Sequence, residues 1–325
     1  MDYQLDDNQR VLLSALQTIL ADHADLPQAA RLTYAHYHAG LQTLLAENGF
    51  LHVGRDLGPL EAALVTIEAA TIPSYVEVAG SALILPQLLP QDDLTGPIAL
   101  LNKADLSKPH RNLPIAGFAL VDMDEDAAVL AIDPAAIEPV ETILAYPYGR
   151  FREMPDLSRA RILPGAGPLL RQWWRVALCA EFAGAVRAAV AFTVDYVKQR
   201  KVLGKPVGAY QVVQHRLVQC HQIGQALHYL TLRAAWSGTA RDASLAATYA
   251  QHHVQKLLFD LHQFNGAMGV TTEHLLHFWT YRLRALQAEA GGVSAAALDV
   301  ATHLWGAVPE PRTADAPSPV KHIAA

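Results

Sequence analysis

The chain has 325 residues, 51% hydrophobic and 17% charged, with a net charge of −6, a composition that excludes a disordered polymer and leaves room for two or three subdomains around a sizeable core. An acidic balance does not supply the basic surface that nucleic acid demands, so any anion site has to be local. The two cysteines, Cys179 and Cys220, fall inside helix-like apolar stretches and read as buried thiols of a reducing compartment, not as a disulfide framework.

The first ten residues, MDYQLDDNQR, are acidic and polar, and no uninterrupted apolar run of spanning length follows, so the expectation is a cytoplasmic protein with no membrane segment. Val11, Leu12, Ala15, Leu16 and Ile19 recur at helical spacing behind Asp6 or Asp7 as N-cap. The stretch YAHYHAGLQTLLAENGF repeats the pattern and ends on Asn48 and Gly49, a C-terminal signal. Two further helical stretches follow, divided by Ile72 and Pro73, so residues 1–95 read as a helical domain. Over residues 96–165 short β-branched or alternating runs such as GFALVDM and AAVLAI are cut by Pro and acidic turns, the texture of a small antiparallel β-domain. From Leu169 the helical period returns in four long blocks with short joints, an antiparallel bundle over residues 166–310. The last residues, 311–325, are Pro-rich and polar and read as a flexible tail.

The segment YVKQRKVLGKPVGAYQVVQH, residues 196–215, crowds four cations, two glycines and a proline into twenty positions. It interrupts itself at Gly204, Lys205 and Pro206 and then resumes the same apolar period, unlike an ordinary surface helix. With its flanks, DYVKQRKVLGKPVGAYQVVQHRLVQ resembles the tyrosine, Arg, aromatic-Gly-Lys-Pro, Gln and Gln-His segment of acyl-CoA dehydrogenases. A second stretch, HQFNGAMGVTTEHLLHFWTYRLRAL, resembles that family's Gln, paired glycines, Gly, Thr, Glu-His and Arg segment, with Ala267 in place of the second paired glycine. The order of helical domain, β-domain and bundle is also the family's, so the resemblance implies a mainly α protein with the acyl-CoA dehydrogenase fold and a reduced β-domain. The likeness spans the bundle, weakens over residues 1–95 and nearly vanishes over 96–165.

The resemblance implies FAD as cofactor. Arg200 would pair with the pyrophosphate through a guanidinium fork, Leu203 would form an apolar wall where the family has an aromatic, and Gln211 belongs to the same segment. Gly204 would let the backbone pass close to the cofactor, and Pro206 would fix the restart of the next helix. Gln263, Gly266 and Ala267 would lie against the adenine end of a cofactor centred on a neighbouring subunit.

Removal of an α-proton from an acyl-CoA needs a carboxylate within reach of the substrate. The family's two positions for that base fall here on Ala290 or Gly291 and near Trp174, none of them acidic. Glu289 and Glu181 are the nearby carboxylates, with Glu289 read as a solvated face; no catalytic residue is assigned. The β-domain also lacks the family's Thr-Glu-Pro and Gly-Ser-Asp stretch and its Trp-bearing strand. This combination resembles the short subunits of heteromeric acyl-CoA dehydrogenases of bacterial steroid degradation. It implies a full-length partner in an α2β2 assembly that supplies the base and holds the acyl-CoA, with an electron-transfer flavoprotein as acceptor. A self-sufficient homomeric dehydrogenase with its base moved to Glu289 or Glu181, and a scaffold without FAD, are the alternatives. The 15 histidines, His36, His38, His252 and His253 among them, lack the Glu-x-x-His spacing of a di-iron bundle; they read as surface or interface residues with no metal, able to make assembly pH-sensitive.

Overall fold

Helix α1 (Asp7–Asp22) starts in a reciprocal cap: the Gln9 amide donates to Asp6 Oδ1 at 2.8 Å and the Asp6 amide to Gln9 Oε1 at 3.1 Å. The computed structural model describes residues 3–92 and 94–306; the tail expected over 311–325 and the end of the expected bundle lie outside the described residues. After α1 come α2 (Gln28–Arg31), α3 (Ala39–Glu47), α4 (Val53–Asp56) and α5 (Pro59–Ala69). Helix α3 stops at Asn48, and Gly49 follows at φ 80°. Past Ile72 and Pro73 the chain re-enters as a π-helical turn, Ala79–Ile84, continued by α6 (Leu85–Leu88). Gly80 has no alternative there, since a Cβ would stand 2.3 Å from Ile98 Cγ1.

The strands are β1 (Ile98–Asn102), β2 (His110–Arg111), β3 (Phe118–Met123), β4 (Asp126–Ala131), β5 (Ile137–Val140), β6 (Tyr148–Phe151) and β7 (Arg161–Leu163). They form a four-stranded sheet in the order β1-β3-β4-β7 and a three-stranded sheet β2-β6-β5. The expected all-antiparallel pairing is corrected in one place: β1 runs parallel to β3, with Ile98 opposite Phe118. The connection between them is long enough to contain β2, which a parallel crossover requires.

Helix α7 (Gly167–Gln199) is the axis of the molecule. It is the one described helix long and apolar enough to cross a bilayer, and its apolar surface is spent on packing: Trp173, Val176, Phe182, Val186 and Val190 are all buried. A two-strand ribbon of β8 (Lys201–Val202) and β9 (Lys205–Pro206) leads to α8 (Gln211–Ser237), then α9 (Ala240–Asn265). The fourth block of the bundle forms the shorter α10 (Leu276–Leu286), and the further short helix that the stretch VSAAALDVATHLWG leads one to expect is α11 (Gly292–Trp305), which turns back along α9. Ala290, Gly291 and Gly292, at φ 51°, 83° and 68°, make the break. Both cysteines are free and buried. The histidines are less superficial than the surface reading: His274 and His277 are buried, with His277 Nε2 2.9 Å from the Thr33 carbonyl, and burial lowers the His274 pKa.

One buried carboxylate joins the helical layer to the sheet. Glu77 is held through its backbone by Gln42, which accepts its amide at 2.6 Å and donates to its carbonyl at 2.8 Å. Its side chain accepts the Gly80 amide at 2.6 Å and the Ile98 amide at 3.3 Å. Ser81 Oγ lies 2.5 Å from Glu77 Oε2 and 2.8 Å from the Gly96 carbonyl. A single hydroxyl hydrogen cannot serve both acceptors, and a proton on Glu77 completes the chain of bonds. Burial pushes this carboxyl up to about 7. Because the folded form holds the proton more tightly than the unfolded chain, stability falls as pH rises from about 4.5 to about 7 and levels off above. Glu77→Gln is expected to flatten that limb and, at pH 8, to exceed the parent in stability by up to roughly 3 kcal/mol. Urea unfolding at pH 5 and pH 8 measures this; equal pH slopes in the two proteins would contradict the assignment.

Candidate functional site

Helix α7 ends at Gln199, and the Arg200 amide closes its last turn on the Tyr196 carbonyl at 2.9 Å. Arg200 itself turns out of the helix at φ −70°, ψ 121°. The hairpin that follows pairs Lys201 with Pro206 and Val202 with Lys205, leaving Leu203 and Gly204 as a two-residue turn at φ 51° and 82°. Positive φ at both turn residues matches the twist of an antiparallel ribbon. This corrects three expectations. Leu203 is 90% exposed at the hairpin tip and walls nothing. Gly204 answers a backbone angle and has open space around it, not a close approach. Pro206 belongs to β9, and α8 begins only at Gln211.

On the opposite wall α9 runs to Asn265, and Gly266 terminates it at φ 60°, ψ −149°, a conformation that is essentially glycine's own. Between these two chain ends lies a cavity of about 680 Å3. Four residues singled out in the sequence line it together: Arg200, Gln263, Gly266 and Ala267. Leu203 and Gln211 are not among its walls; Gln211 opens α8 on the solvent side, and Val212 and Val213 line the cavity in its place. Val202, Val207 and Phe264 add apolar surface. No lining residue is acidic, and the Arg200 guanidinium and Gln263 amide have no hydrogen-bond partner among the described residues. A Cβ on Gly266 would meet nothing within 4 Å, so the wall is open beside the two free donors.

Two further lining residues escaped the sequence reading. Arg216, four residues beyond Val212, falls on the same face of α8. Asn265 is fully buried; its Nδ2 donates to Thr193 Oγ1 at 2.9 Å and to the Leu261 carbonyl at 2.8 Å, which fixes the amide orientation and leaves Oδ1 without a partner. The cavity thus offers cations for an anion, an apolar wall for a flat group and the exposed Gln263 amide for a polar edge. FAD presents all three, in its pyrophosphate, adenine ring and adenine amine, and the residues present fit it.

The second feature is a cavity of about 650 Å3 between the β-layer and the bundle. Trp174, Ala290 and Gly291, the positions matching the two family bases, line this single space. Glu289 corrects the solvated-face reading: its side chain is only 15% exposed. Arg111, carried in on β2, reaches both carboxylates. Its Nη1 donates to Glu181 Oε1 and Oε2 at 2.9 and 2.6 Å, while Nε and Nη2 fork onto Glu289 at 2.8 and 3.1 Å. Trp174 Nε1 donates to Glu289 Oε2 at 3.2 Å, and the Tyr146 ring covers the guanidinium at 4.5 Å. Burial opposes the Arg111 charge, but the two carboxylates outweigh it and hold the guanidinium pKa above its ordinary range. Burial, with Glu289 nearby, pushes Glu181 up.

Comparison with known proteins agrees with this architecture. The family model described as acyl-CoA dehydrogenase, C-terminal domain, matches residues 172–304. Acyl-CoA dehydrogenase IpdE2 of Mycobacterium tuberculosis is 27% identical over 107 residues, 33% of this chain and 34% of the relative, so the match spans about a third of that protein's length. In three dimensions the chain resembles the ChsE4-ChsE5 complex from Mycobacterium tuberculosis, with a TM-score of 0.77 at 15% identity over 94% of this chain and 99% of the other. It also resembles the Tcur3481-Tcur3483 steroid ACAD, with a TM-score of 0.73 at 20% identity over 92% and 98%. At these identities the structural matches establish the fold.

Removing Arg111 leaves two buried carboxylates facing each other without a counter-ion. Arg111→Met is expected to cost about 3–5 kcal/mol, and combining it with Glu181→Gln and Glu289→Gln to recover most of that loss. Urea unfolding of the single and triple variants is the check; a single variant within about 0.5 kcal/mol of the parent would refute a central role for the trio.

Proposed function

We propose, from the match of residues 172–304 to the acyl-CoA dehydrogenase C-terminal domain and from the fold, that the chain is a subunit of a heteromeric, cytosolic FAD-dependent acyl-CoA dehydrogenase. In this reading it completes the partner's FAD site for α,β-dehydrogenation of a CoA thioester and contributes no base of its own. One observation carries it: the space where the family keeps its carboxylate holds Trp174 and Ala290, and both neighbouring acids are committed to Arg111. A carboxylate whose oxygens are tied into a guanidinium fork is poorly placed to accept a substrate proton.

FAD, when bound, accepts the hydride from the β-carbon of the thioester. This chain's part is recognition. Arg200 would hold the pyrophosphate by charge-assisted bonds, Gln263 would meet the edge of the adenine, and Gly266 and Ala267 would leave room beside it. The partner holds the acyl-CoA and the base, and passes the electrons to an electron-transfer flavoprotein. The likeness to a complex of two differently named chains and to a steroid ACAD supports an α2β2 assembly and a steroid side-chain thioester as substrate class.

A second reading rests on Glu289, which borders the 650 Å3 cavity next to Ala290 and would be the base of a self-sufficient enzyme. Glu289→Gln separates the two. In the assembly with its partner, turnover of acyl-CoA is expected to stay within about threefold, whereas loss of a positioned base costs on the order of a hundredfold or more. Arg200→Ala is expected to lower FAD affinity about tenfold, read as flavin retained after gel filtration; full retention would leave a scaffold without FAD as the better account.

A further inference from the structure

Arg216 is the cation in the Arg200 cavity that the function above does not use. Its Nη2 donates to Asp260 Oδ1, and Asp260, on α9 one turn before Gln263, is 1% exposed. Lys256 Nζ bonds the other oxygen, Oδ2, at 2.9 Å, and Cys220 Sγ lies 3.7 Å from it. Two cations therefore share one buried anion, and the group keeps a net positive charge. The Phe259 and Phe264 rings lie 5.3 and 5.2 Å from the guanidinium carbon, within range of a cation–π attraction. One nitrogen anchored and rings beside the plane remove most of the rotamer freedom that a surface arginine has. The rest of the fork borders a cavity that has no acid in its wall.

We propose that Arg216 is a second cationic contact for the phosphate-bearing ligand of this cavity, and that Asp260 is its positioning residue. The inference rests on the FAD reading and adds to it a two-guanidinium clamp, Arg200 from the end of α7 and Arg216 from α8, matched to a diphosphate and not to a single charge. Asp260 then acts against its own sign: a buried carboxylate strengthens anion binding because it aims a fork that would otherwise swing into solvent.

The test titrates ADP and adenosine calorimetrically into the flavin-stripped assembly of the full chain with its partner. Arg216→Ala is expected to weaken ADP about tenfold and to leave adenosine unchanged, with Arg216→Lys restoring only part of the loss. Asp260→Asn separates aim from field. Loss of an anion beside a cationic cavity tightens ADP if only long-range charge matters, whereas release of the fork weakens it, and weakening is the expected result. Should Asp260→Asn not fold, Arg216→Lys, which keeps a cation on Asp260, decides the matter. Unchanged ADP affinity in Arg216→Ala, or tighter ADP in Asp260→Asn, overturns the proposal. If Arg200→Ala weakens ADP and Arg216→Ala does not, this inference fails and the FAD reading stands; if neither does, the FAD reading fails as well.

Discussion

A single guanidinium inside the protein fixes how the layers meet. Arg111 arrives on the two-residue strand β2, and the acids it binds come from the middle of α7 and from the turn after α10. Three segments distant in sequence are thus tied to one planar group with donors on both edges, a geometry lysine could not reproduce. Because every member is almost wholly removed from water, none can leave without stranding the others, and the contact behaves as one unit. It welds the β-layer to the bundle and at the same time ties up Glu181 and Glu289, the two glutamates beside Trp174 and Ala290.

That constraint separates two kinds of site in one fold. The crevice between β-layer and bundle keeps its volume, yet its acids are bound to the protein itself. The cavity at the ends of α7 and α9 is the reverse, with the Arg200 guanidinium and the Gln263 amide left unpaired toward open space. Those donors stand free beside an apolar wall with no acid in it, so the second site carries the stronger signature of an anionic ligand. It is built from a helix end, a tight ribbon and a glycine-terminated helix, where the chain is free to place donors without disturbing the core.

Residues whose role depends on local chain geometry were legible in the sequence. The break at Gly204, Lys205 and Pro206 marked the end of α7, and Arg200, Gln263, Gly266 and Ala267 converge on one cavity because two helix ends meet there. Leu203 and Gln211 failed for a reason of backbone angle: a two-residue turn with positive φ twice throws the leucine into solvent and carries α8 past Gln211 before it reaches the wall. Glu289 reads as solvated because the arginine that claims it lies 178 positions away, while the nearby Arg282 and Arg284 bond elsewhere. The parallel pairing of β1 with β3 is likewise a long-range choice that alternation within either strand does not encode. Arg216 looks like any cation on a helix face until Asp260 is found beneath it.

The claim that the reactive ring of the cofactor belongs to another polypeptide is tested most directly by flavin stoichiometry. The chain is purified alone and with its partner, and flavin absorbance is measured against each polypeptide. The account predicts a colourless chain alone, and in the assembly one flavin for each partner polypeptide. One tightly held flavin on each copy of this chain in the partner's absence would contradict it.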